Sequence, residues 1–182
     1  MAEPGPVSIG EISVTLRRVM TPIGLEVDTV VLGGSDVTIQ PSPFAISGPT
    51  PISAEVTITA AAIQALLAEK APGGLSGIQV VIEDGQIIVT GTKRILVDIP
   101  ATAKCRLRIF EGSQIFVDLV SVEVLRGASL TNVIRSQIDA LNPLIDAADL
   151  PIALTFSEIV LEDGTVRVRG SVSPDWQKPL VS

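Results

Sequence analysis

The sequence predicts an α+β protein, a large antiparallel sheet serving one long amphipathic helix and a second, shorter one. Three observations carry this. Most of the chain alternates apolar and polar residues with period two, the pattern of half-buried strands. Two Asp-Gly pairs, Asp84-Gly85 and Asp163-Gly164, stand between such runs and mark tight hairpins. Against that background Ser129 to Asp149, SLTNVIRSQIDALNPLIDAAD, changes period. Leu130, Val133, Ile134, Ile138, Leu141, Leu144 and Ile145 fall on one helical face. Thr131, Asn132, Arg135, Ser136, Asp139, Asn142 and Asp146 fall on the other. Ser129 or Thr131 can cap the start. Pro143 lacks a backbone donor and crowds the preceding turn, so a kink or break is expected there.

The elements follow in order. Residues 1–8, rich in Pro and Gly, read as a loose segment. Ile9 to Val19 alternates Ile12, Val14 and Leu16 with Glu11, Ser13, Thr15 and Arg17, a half-buried strand. Further strands are expected at Leu25–Leu32 and Asp36–Gln40, separated by Gly33-Gly34. The next stretch, QPSPFAISGPTP, has four prolines and reads as a sheet edge or loop. Its Phe44 and Ile46 either fold back on the core, the favoured reading, or form an apolar tip against a membrane. Ile52 to Thr59 is a strand that runs into TAAAIQALLAEKA. There Thr59 is the N-cap, Ile63, Leu66 and Leu67 line one face, and Pro72-Gly73-Gly74 ends the helix. A meander follows: Ile78–Ile82, Gln86–Thr90, Lys93–Pro100, Lys104–Phe110 and Gln114–Leu125. After the long helix, Ile152–Leu161 and Thr165–Val172 form the last hairpin, and the tail with Trp176 covers a sheet edge.

The two hairpins repeat one another. VVIEDGQIIVTG (residues 80–91) matches IVLEDGTVRVRG (residues 159–170) position by position, each after a helix. This points to an internal duplication over 59–91 and 129–170 within one domain, residues 9–173, with a tail at 174–182. Glu83, Asp84, Glu162 and Asp163 are turn residues on exposed tips. Nothing beside them would split their pKa values for acid/base work.

Composition bounds the function. The chain has 182 residues, 46% of them hydrophobic but only 3% aromatic, so its apolar surface is aliphatic. Mean hydropathy is +0.50, yet charges interrupt every candidate membrane-spanning run. That composition fits either a tightly packed core or an apolar groove. A net charge of −7 argues against a nucleic-acid partner. With no His in the chain, Ser-His and Cys-His dyads and His-based metal sites are excluded, and the Gly-Gly pairs lack the rest of a phosphate loop. An enzyme, a metal site and a cofactor are not expected. Cys105 stands alone between Lys104 and Arg106 on an alternating strand, which points it into the core. The start, MAEPGPVS, has neither the basic nor the apolar region of a signal peptide. The expected location is cytoplasmic or membrane-peripheral, or extracytoplasmic if a leader was removed.

Read together, TITAAAIQALLAE, IQVVIEDGQIIVTG, the meander, and LPIALTFSEIVLEDGTVRVRG resemble the LmeA-like family of bacterial phospholipid-binding proteins, over about Ile12 to Val172. That family is similar to the tubular lipid-binding (TULIP) superfamily. The resemblance implies a strongly curved antiparallel sheet wrapped around the long helix, with acyl chains in an apolar groove between them. It brings no catalytic motif. The expected partner is a phospholipid or another acyl-chain lipid, with peripheral membrane contact.

Candidate groove residues are Ile134, Ile138, Leu141, Leu144 and Ile145 on the long helix and Ile63, Leu66 and Leu67 on the short one. Ordinary core packing is the competing reading for each. Arg106 and Arg108, with Lys104, alternate on one strand, and Arg167 and Arg169 on another. They suit anionic head groups, or simply form solvated sheet faces. The alternative function is a non-catalytic adaptor with a filled core and a protein partner. Ile138→Asp separates the readings, scored by circular dichroism with lipid uptake. A groove residue leaves a folded protein that takes up no lipid, and a core residue unfolds the domain.

Overall fold

Strand β1 (Val7–Met20) runs antiparallel to β2 (Glu26–Pro41), with Val7 opposite Ile39 and Met20 opposite Glu26. Thr21 closes the link between them. Its hydroxyl donates to the Leu25 carbonyl and accepts from the Leu25 amide, both at 3.0 Å. The other edge of β2 pairs with β3 (Phe44–Ser47) near one end and β4 (Ile52–Thr59) near the other. The computed structural model describes residues 5–21, 23–41, 44–70, 74–94, 98–124, 128–149, 154–172 and 176–177. Side chains of Phe44, Ile46, Leu141 and Trp176 lie outside that description, so the two readings of Phe44 and Ile46 do too.

Helix α1 (Ala60–Lys70) follows, and then the meander β5 (Leu75–Glu83), β6 (Gln86–Arg94), β7 (Asp98–Phe110) and β8 (Gln114–Val124). Helix α2 (Ala128–Leu141) leads through β9 (Ile145–Asp146) and a 3-10 turn (Ala147–Asp149) to β10 (Leu154–Glu162) and β11 (Thr165–Val172). The last strand is β12 (Trp176–Gln177). Sheet A joins β10-β11-β4-β2-β3-β12, with β1 on the far side of β2, and sheet B joins β5-β6-β7-β8-β9. All pairings are antiparallel, and the strands make a curled half-barrel carrying two short helices.

Several expectations are corrected. Gly33-Gly34 does not divide the segment into separate strands; β2 runs straight through. A Cβ on Gly33 would stand 3.2 Å from Ser53 Oγ, and one on Gly34 3.1 Å from Ile52, so the glycines make room for β4. The prolines of 41–51 flank β3, which lies between β2 and β12. Pro100 lies inside β7, which fuses the second half of the expected 93–100 strand with the 104–110 strand. The expected half-buried strand at 9–19 is largely exposed, because β2 is its neighbour on one side only.

The long helix is the main correction. No helix spans 129–149, and no long amphipathic helix lies in the grip of a sheet; α2 ends at Leu141. The reason is local. Asn142 N bonds back to Asp139 O at 3.3 Å in a tightened last turn, and Pro143 cannot donate to continue it. The Asn142 amide turns to β8 instead: Oδ1 accepts from Val117 N at 2.7 Å, and Nδ2 donates to Val117 O at 2.9 Å. Leu144 N then donates to Ile115 O at 2.8 Å, so the chain leaves the helix as a short strand on β8. Gln114 Nε2 donates to Asp146 Oδ2 at 2.6 Å. That bond, with one from Ala148 N, holds the Asp146 carboxyl below its ordinary range.

Helix α1 begins as expected, with Thr59 Oγ1 accepting from Ala62 N at 3.1 Å. Its Ile63, Leu66 and Leu67 pack on the core, and Gln64 Oε1 accepts from Val80 N at 3.1 Å on the edge of β5. The core forms where the sheets face each other. Ile58, Phe156, Val166 and Val168 of sheet A meet Ile78, Val80, Ile82, Ile87, Cys105 and Ile115 of sheet B. A second cluster sets Ile134 of α2 on Ala101 and Ala103. Alanines are what let a helix lie close to β7.

The two Asp-Gly hairpins share more than their turns. Asp84 and Gly85 have φ +50 and +68, Asp163 and Gly164 +51 and +74, the geometry of type I′ turns. Each first strand carries a register shift, at Ser76/Gln79 and at Phe156/Glu158. Beside each shift stands the closing glycine, Gly91 or Gly170. A Cβ on Gly170 would run into the Thr155 carbonyl.

Two outcomes follow. Asn142→Ala strands the Val117 amide and carbonyl, and urea unfolding should show a loss of about 1–3 kcal/mol with an unchanged m-value. Burial pushes the Cys105 thiol up to about 11. Iodoacetamide at pH 8 should therefore leave the native protein unmodified and label it fully once urea unfolds it.

Candidate functional site

The register of sheet A places one continuous apolar row across five strands: Leu16, Val30, Val56, Val168 and Ile159. A second row runs Val14, Leu32, Ala54, Gly170 and Phe156. Both lie on the face that meets sheet B, since Val30, Val56 and Val168 all pack into the shared core. Cover runs out along the rows. Val168 is 4% exposed and Ala54 5%, whereas Val14 reaches 36% and Leu16 47%. Sheet A is thus broader than what is laid over it, and its inner face continues past the core as an open apolar shelf on β1 and β2. Helix α1 borders the shelf, with Leu66 Cδ1 3.7 Å from where a Cβ on Gly24 would stand.

The outer face of sheet A is different in kind. Glu11, Ser13, Thr15 and Arg17 of β1 alternate onto it. Glu55 of β4 receives Arg169 Nε at 2.8 Å and Arg167 Nε at 3.7 Å. Arg169 also reaches Glu158 at 2.7 Å, and Arg167 reaches Glu162 at 3.8 Å. The bonds to Glu55 and Glu158 raise the Arg169 pKa further. Arg167 and Arg169 therefore sit in an ion-pair ladder on the side away from the shelf.

Arg106 and Arg108 lie on the outer face of sheet B. Arg108 Nε donates to Asp118 at 2.9 Å, and its guanidinium lies 5.9 Å from the Phe110 ring centre and 5.3 Å from that of Phe116. Arg106 is exposed and has no acidic partner among the described residues.

The groove candidates are spread over the core. Ile63, Leu66, Leu67 and Ile145 pack on the main cluster, Ile134 on the smaller one, and Ile138 touches both. Leu144 is half-buried beside β8, and the Leu141 side chain lies outside the described residues. An open depression of roughly 450 Å³ lies elsewhere, on Gly10–Ser13, Gly33–Ser35, Thr50, Pro51 and Ser53. Glycines and hydroxyls dominate its lining, and none of the groove candidates contributes to it. The shelf residues Val14, Leu16, Val30 and Leu32 were not singled out from the sequence. Their alternation is visible there, but how much of a sheet stays uncovered is set by the breadth of the opposing sheet.

Among the described residues no group of three or more His, Cys, Asp or Glu is placed to hold a metal ion. No helix among them is long and apolar enough to cross a membrane. Comparison with curated proteins gives no match, and comparison with solved structures gives none. The model of one protein family, described as LmeA-like phospholipid-binding, matches residues 8–171. With nearly the whole chain matched, this protein belongs to the LmeA-like phospholipid-binding family.

Proposed function

We propose that the protein binds a phospholipid or another acyl-chain lipid without chemically altering it, its acyl chains lying on the apolar shelf of sheet A. The carrying observation is the uncovered continuation of the core face, Val14 and Leu16 of β1 beside Val30 and Leu32 of β2, in a chain of a phospholipid-binding family. Ile63, Leu66 and Leu67 on α1 flank it, and in this reading Ile134, Ile138, Leu144 and Ile145 extend the apolar lining toward α2. Aliphatic walls suit this ligand, since each CH₂ taken from water contributes about 0.8 kcal/mol whatever the chain's exact conformation. An open shelf rather than a sealed cavity allows loading from a membrane surface, the property of a carrier in lipid transfer. Peripheral membrane contact belongs to the same reading.

A second reading has one observation in its favour. The space between the sheets is filled, with Ile115 and Val166 each 1% exposed, as an adaptor with a packed core requires. In that case the shelf takes a protein partner.

Organic extraction of the purified, detergent-free protein followed by mass spectrometry decides between them. Stoichiometric phospholipid is the expected result; an empty extract with no uptake from labelled vesicles leaves the adaptor. Leu32→Glu sharpens the test. It puts a carboxylate on the half-buried shelf and should cut uptake about tenfold or more, with a cost in stability of about 1 kcal/mol read by urea unfolding.

A further inference from the structure

Strand β1 offers fourteen residues on which, among those described, β2 is the only pairing partner. Among the described residues nothing pairs with the N–H and C=O groups of its other edge. Two other edges are treated differently: Gln64 bonds Val80 on β5, and Gly112 O accepts from Phe156 N at 2.7 Å on β10. Edge strands commonly carry Pro, inward charge or a short length that blocks pairing, and β1 has no Pro, no Lys and a full span.

We propose that β1 is a dimerisation strand, pairing antiparallel with β1 of a second copy about a two-fold axis through Val14. The residue classes of β1 read the same in both directions about that point. Val14 faces Val14 of the second copy, Ser13 faces Thr15, Ile12 faces Leu16, and Glu11 faces Arg17. The charge match carries the choice of occupant. Glu11 and Arg17 are exposed, neither has an ion-pair partner within the described chain, and the two-fold sets each against its opposite twice. Moving the register by two residues sets Glu11 against Thr15 or Val19 and loses the match. Moving it by one turns the apolar face of one copy against the polar face of the other. Arg18, whose φ of +55 bends the strand, meets Gly10, which has no side chain to obstruct it. The pairing joins the two copies of sheet A into one and covers the sides of Val14 and Leu16. It does not depend on the lipid reading, and Glu11 and Arg17 lie on the face opposite the shelf.

Sedimentation equilibrium of the full chain over a wide concentration range tests this, with circular dichroism to verify each variant's fold. The wild type should be dimeric. Glu11→Arg and Arg17→Glu alone should each weaken the dimer about tenfold or more, while the double swap restores it. Under mild oxidation Val14→Cys should give a covalent dimer. Leu16→Cys should not, since its two copies lie about 13 Å apart along the strands. A monomeric wild type, a dimer indifferent to both single swaps, or equal cross-linking of the two cysteines overturns the proposal; a dimer of another geometry is among those outcomes.

Discussion

Everything in this molecule depends on the contact of two sheets across Val166, Val168 and Phe156 on one side and Ile78, Val80, Ile82 and Ile115 on the other. Neither sheet could keep its apolar face in water. Each valine or isoleucine fully covered there is worth about 1.5–3 kcal/mol. The helices are secondary to that contact: α1 fills one margin and satisfies the edge of β5, and α2 lies on the small residues of β7. The mismatch in breadth between the sheets then creates the apolar shelf. The candidate lipid surface is therefore the portion of a hydrophobic face that the core contact does not reach.

The two Asp-Gly hairpins serve this arrangement from opposite sides. One supplies the edge pair of sheet B and the other the edge pair of sheet A, so two hairpins of like turn geometry lie on opposite sides of the core. Each uses Asp-Gly in positive φ for a turn that matches strand twist, and each sets a glycine beside a register shift. Asp84 and Asp163 thus serve the backbone geometry of the turns, and Glu162 pairs with Arg167.

Much of the local structure is legible in the residues. Thr59 is both the expected and the observed cap, the Asp-Gly turns fix two hairpins, and Cys105 is buried as its neighbours on β7 imply. What escapes reading is non-local. Gly33-Gly34 looks like a break until one knows that Ser53 and Ile52 press on it. The apolar spacing continues from Ile138 to Ile145, but Asn142 prefers the Val117 backbone to the next helical turn. Alternation marks Val14 and Leu16 as a core face. No pattern within β1 tells that sheet B stops short of them. For the same reason the arginines look alike in sequence, although Arg167 and Arg169 find carboxylates across strands and Arg106 finds none among the described residues.

The backbone bonds that tie the two sheets lie along one border. Gly164 N reaches Ile82 O at 3.3 Å, and Phe156 N reaches Gly112 O at 2.7 Å, both on the β10–β11 side. Among the described residues no such bond joins the sheets near β1. The molecule is therefore bound like a book along its spine. Any widening of the gap between the sheets would pivot on that border, least at Val166 and most at Leu16. A guest of the kind proposed, seated at the fore-edge, would therefore meet the side of the molecule that these bonds leave untied.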